Sequence, residues 1–129
     1  MTVIKWREGF ETGVDQFDQE HKKLVELVNA MYIAMRDKAN QGEIERIISE
    51  LISYTGYHFD NEEKAMSAAN FPGLEEHRAI HQKLKAEAIA FTERIEKDFT
   101  TGTRDLYHFL REWLKEHIME CDKQYSGKI

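Results

Sequence analysis

Four side chains suited to metal ligation stand in two pairs: His58 with Glu62, and His77 with His81. A spacing of four puts two side chains one turn apart on the same face of an α-helix, so each pair can chelate one cation if that face points inward. Asn70-Phe71-Pro72-Gly73 breaks the chain between the pairs, which sets them facing each other across one turn. A single pair of this kind arises often on solvated helices, so the weight falls on the elements that carry the pairs.

Residues 1 to about 17 keep no period and contain Gly9 and Gly13, which predicts an irregular arm packed through Trp6, Phe10 and Phe17. Asp18 reads as the N-cap of a first helix whose apolar stripe (Leu24, Val25, Leu27, Val28, Met31, Tyr32 and Met35) runs to about Lys38, with His21 on the same face. Asn40-Gln41-Gly42 interrupts the pattern. Ile44, Ile47, Ile48, Leu51, Ile52 and Thr55 resume it as a second helix, and the stripe extended by threes and fours lands on His58 and Glu62. A third helix carries His77, His81, Leu84, Ala88, Phe91 and Ile95 on one face. Asp98 to Thr103 reads as the next loop, and a fourth helix follows with Leu106, Phe109, Leu110, Trp113, His117 and Cys121.

Short connections force antiparallel neighbours, so the expected fold is all-α: an antiparallel up-down-up-down four-helix bundle with an irregular N-terminal arm, and 1–129 as one domain. In such a bundle the starts of the first and third helices share an end with the finishes of the second and fourth. His21, His58, Glu62, His77, His81 and His117 then meet at one pole. Burying five imidazoles and a carboxylate without a cation would leave polar groups unpaired at ~1–3 kcal/mol each, against a total stability of ~5–15 kcal/mol. A bound metal removes the conflict. His108 is the internal control: it falls off the stripe and is assigned to solvent, as are Asp60, Glu63, Glu75, Glu76, Glu112, Glu116 and Glu120. Asp122 is a further ligand candidate. It stands five residues past His117, about 140° away on a regular helix, so a π-bulge or an unwinding last turn is expected between 117 and 122.

The bulk composition agrees. The chain of 129 residues is 41% hydrophobic and 33% charged with one Pro, which suits a helical domain with a real core. A formal charge of −6 argues against nucleic acid and anionic lipid as partners. The start lacks a signal-peptide pattern and no stretch is apolar enough to insert in a membrane, so a cytoplasmic location is expected. The single cysteine, Cys121, cannot form an internal disulfide.

His21, the H-x3-E motif at 58–62, the H-x3-H motif at 77–81 and the H-x4-D motif at 117–122, in this order, resemble the hemerythrins, specifically the bacterial single-domain kind. The resemblance spans nearly the whole chain, including Trp6, Asp18-Gln19-Glu20-His21, Phe71-Pro72 and Asp122-Lys123-Gln124-Tyr125. It implies two non-haem iron ions with a bridging oxo or hydroxo group. His77, His81 and His117 would hold one iron, His21 and His58 the other, with Glu62 and Asp122 bridging. Six positions per iron then leave one open, which the family uses for reversible O2 binding in storage, delivery or sensing, with an O2-consuming protein as a candidate partner. The alternative is a di-iron enzyme or scavenger acting on nitric oxide, peroxide or iron. Ligand chemistry favours binding, since di-iron oxidases use carboxylate-rich sets and this chain offers five imidazoles to two carboxylates. Zinc is a rival metal. Leu24, Phe59, Trp113, Leu114 and Ile118 are the expected pocket walls.

Overall fold

The computed structural model describes residues 12–117. Trp6, Phe10, Ile118, Cys121 and Asp122 lie outside them. Among the described residues four helices follow one another: α1 (Asp15–Arg36), α2 (Gln41–Ala68), α3 (Leu74–Lys97) and α4 (Phe99–Glu116). Each packs on its neighbours in sequence, and α4 closes the ring on α1, which is the up-down-up-down bundle that the stripes imply. No described helix is long and apolar enough to cross a membrane.

Local chemistry explains the helix ends, and in three places it differs from the expectation. Asp18 is not an N-cap. It sits one turn inside α1, where its carboxylate accepts from the Thr12 amide (2.7 Å), the Thr12 hydroxyl (2.8 Å) and the Gly13 amide (3.2 Å), tying the preceding segment back onto the helix. Phe17, expected in the arm, is therefore helical and buried. The second helix begins earlier than its apolar stripe: Asn40 caps it by accepting from the Glu43 amide at 2.9 Å, so Gln41 and Gly42 form its first turn. The loop expected over Asp98 to Thr103 is a single residue. Asp98 caps α4 through the Thr101 amide at 3.2 Å, and the Thr-Thr-Gly-Thr run is already helical. Gly102 permits that tight reversal, because a Cβ there would stand 2.8 Å from the Ile95 backbone. Between α2 and α3 the turn passes through Asn70 with φ 53°, a left-handed position that asparagine tolerates better than most residues.

The main core comprises Leu24, Val25, Leu27, Val28 and Met31 of α1, Ile44, Ile47, Ile48 and Leu51 of α2, and Leu106, Tyr107, Leu110 and Leu114 of α4. Ile52, placed on the buried stripe by spacing, is instead exposed. A smaller cluster of Phe17, Met66 and Phe71, with Val14, Ala65 and Leu74 against it, closes the opposite end. Phe17 precedes His21 by one turn and Met66 follows Glu62 by one turn, so the layer holding the polar side chains lies between the two apolar clusters.

Candidate metal centre

His21, His58, Glu62, His77, His81 and His117 are all buried to within 1% of full burial, and they lie together at one end of the bundle. Glu62 is the hinge of the arrangement. Its Oε2 stands 3.7 Å from His21 Nε2, and its Oε1 stands 3.2 Å from His58 Nε2, 3.5 Å from His81 Nε2 and 3.7 Å from His117 Nε2. Two groups of donor atoms result, His21–His58–Glu62 and Glu62–His81–His117, each with its atoms within 4.8 Å of one another. His77 lies beside the second group, its ring 6.1 Å from that of His81 and 6.3 Å from that of His117, but its nitrogens join neither group. At His117 the backbone passes from α-helical to π-helical pairing, where a change of pitch was expected; Asp122, whose direction that change would decide, is outside the described residues.

The tautomers follow from what the outer nitrogens meet. His58 Nδ1 is 2.5 Å from Glu20 Oε1 and His81 Nδ1 is 3.0 Å from Glu63 Oε2, and a nitrogen that close to a carboxylate must carry the proton. The lone pairs of both neutral rings then sit on the Nε2 atoms, which stand 3.2 and 3.5 Å from Glu62 Oε1. Two acceptors do not approach to 3.2 and 3.5 Å without positive charge between them. A divalent cation in each group would supply that charge while leaving the imidazoles neutral. Imidazole and carboxylate donors with their outer nitrogens tied to a second carboxylate suit iron and zinc.

The carboxylates are tuned accordingly. Burial on its own would push the Glu62 carboxyl up, but the charge of His58 and hydrogen bonds from His117, His21 and His58 hold it well below its usual 4.5. Burial likewise works against Glu20, and hydrogen bonds from His58, Gln16 and Asn61 together hold its carboxyl below the usual value.

Aromatic rings pack the site from the side of the main core. Phe59 stacks on His81 with centroids 3.7 Å apart and planes at 5°, and Trp113 stacks on His117 at 4.5 Å and 15°. Of the other expected walls, Leu24 and Leu114 are buried in the main core, three residues from His21 and His117 in sequence, and Ile118 lies outside the described residues. An open groove of about 580 Å³ between α3 and α4 is lined by Ile80, Leu84, Trp113 and His117 among others. His108 is exposed, as expected. Glu63, assigned to solvent from sequence, instead faces His81. Glu20 carried no assigned role and faces His58.

With that geometry in view, likeness to known proteins becomes specific. The model of the hemerythrin HHE cation-binding domain matches residues 12–129. Bacteriohemerythrin of Clostridium acetobutylicum is 30% identical across 95% of this chain and 98% of its own length. Bacteriohemerythrin of Methylococcus capsulatus is 30% identical across 98% and 96%. A crystal structure of wild-type hemerythrin superimposes with a TM-score of 0.84 at 29% identity, covering 98% of each chain. Buried histidines grouped around one shared glutamate, on a four-helix bundle matched over nearly its whole length, make this chain a member of the hemerythrin family.

Proposed function

We propose that the chain holds two iron ions and binds O2 reversibly. The observation that carries this reading is Glu62: one fully buried carboxylate lies within 3.7 Å of imidazole nitrogens from all four helices, in two separate groups. A carboxylate so shared is a natural bridge between two cations. On this reading His21 and His58 would hold one iron and His77, His81 and His117 the other, with Glu62 and Asp122 shared between them. When bound, the iron pair supplies the electrons that hold O2 and takes them back on release.

The protein's own share is to keep that exchange reversible. Neutral imidazoles outnumber carboxylates, which favours binding over the high-valent chemistry that carboxylate-rich sets support. The two apolar clusters flanking the site and the rings of Phe59 and Trp113 restrict water, whose protons would otherwise assist irreversible oxidation of the iron. Storage, delivery and sensing share this chemistry, and the bacteriohemerythrin relatives carry names that specify none of them.

The test is to expose the reduced, iron-loaded protein to air and then to argon while recording its visible spectrum. Carriage predicts a charge-transfer band that appears and disappears over repeated cycles. Irreversible oxidation on first exposure would reject carriage in favour of a di-iron enzyme or scavenger of nitric oxide, peroxide or iron.

A further inference from the structure

The two donor groups are each backed by a second carboxylate, and the two backings differ. Glu20, only 5% exposed, accepts from His58 Nδ1 on one oxygen and from Gln16 Nε2 (3.1 Å) and Asn61 Nδ2 (2.9 Å) on the other. Glu63 accepts from His81 Nδ1 and, on its other oxygen, from Arg78 Nε at 3.2 Å; its side chain is 20% exposed and that of Arg78 44%. Glu20 reaches across from α1 to a ligand on α2, and Glu63 from α2 to a ligand on α3.

Building on the two-metal reading above, we propose that Glu20 and Glu63 are positioning residues, one for each metal subsite. Glu20 fixes His58 through a buried clamp held at both oxygens, and Glu63 fixes His81 through a clamp open to solvent. Each holds the proton on Nδ1 and so presents Nε2 as the donor, which makes the ring a ready and stronger ligand. Loss of either weakens its own subsite and spares the other. The effect is larger for Glu20, because water can substitute for Glu63 at its exposed position and cannot reach His58.

The test is an anaerobic Co(II) titration of the full metal-free chain, followed by absorbance, with NMR of the shifted imidazole N–H protons to say which ring has bound. Wild type is expected to take two ions. Glu20→Ala is expected to lose on the order of 10–100-fold in affinity at the His58 subsite alone, with rapid exchange of the His58 N–H. Glu63→Ala is expected to lose less, at the His81 subsite alone. Should Glu20→Ala melt too early to titrate, Glu20→Gln carries the test. Its amide oxygen still accepts from Nδ1 without the charge, and a loss of roughly three- to tenfold at the same subsite is expected. Two ions bound with wild-type constants in the variants, or equal weakening of both subsites in each, overturns the proposal while leaving the two-metal reading intact. A wild-type chain that takes fewer than two ions overturns that reading and the proposal with it.

Discussion

Glu62 and Glu20 set how the metal-free chain responds to acid, since both carboxyls are held below their ordinary range in the folded state. A carboxyl lowered on folding adds stability that is fully present above its unfolded value and is lost as pH falls through the folded one. The melting temperature of the metal-free chain is therefore expected to drop on acidification below about 4.5, with a shallower drop in Glu20→Gln; equal acid limbs in circular dichroism melts would contradict the assignment. Trp113 bears on oxidation instead. Its indole lies flat on His117 and lines the groove beside it, so Trp113→Ala admits water to that ring. Autoxidation of the oxygenated protein is expected to accelerate on the order of tenfold, read by stopped-flow absorbance, and an unchanged rate removes Trp113 from this role. The inward histidines were legible because each continues an apolar stripe by three or four residues. Glu20 and Glu63 were not: each is the sequence neighbour of a site residue, a position that spacing turns toward the exterior, and only the approach of a second helix gives it a ring to face.

At the scale of the helix, the reversal between α3 and α4 depends on a missing side chain. Gly102→Ala drives a methyl group into the Ile95 backbone, which overpacking puts at ~1–3 kcal/mol against roughly 1 kcal/mol gained in helix propensity. A fall of a few degrees in melting temperature is expected, with metal content unchanged because the contact is at the end of the bundle away from the site. Asp18→Ala removes an acceptor that receives the Thr12 amide and hydroxyl and the Gly13 amide, and should cost ~1–3 kcal/mol in denaturant titration. Both positions show where element boundaries escape sequence reasoning. A Thr- and Gly-rich run after a charged residue looks like a loop until packing against Ile95 makes glycine the one residue that fits. An aspartate just ahead of an apolar stripe looks like a cap whether it accepts from its own helix or from the segment before it.

The described residues form a ring of four helices with a polar layer set between a large apolar core and a small one, and that order explains why the bundle was readable as a bundle. Each stripe is apolar along most of its length and polar at one end, and antiparallel alternation can gather those ends in one way. The same layering would couple metal binding to folding, since the proposed ligands come from all four helices and have no common site in the unfolded chain. Free metal at about a hundredfold over its Kd is expected to add ~2.7 kcal/mol of stability per site, visible as a rise in melting temperature that EDTA reverses.

Iron content after anaerobic reconstitution and gel filtration tests the shared-glutamate centre most directly, with wild type and Glu62→Ala measured side by side. Two irons per wild-type chain, and loss of both from the folded variant, are expected from a carboxylate that serves both donor groups. A wild-type chain holding one iron or none, or a Glu62→Ala variant that keeps two, would contradict it.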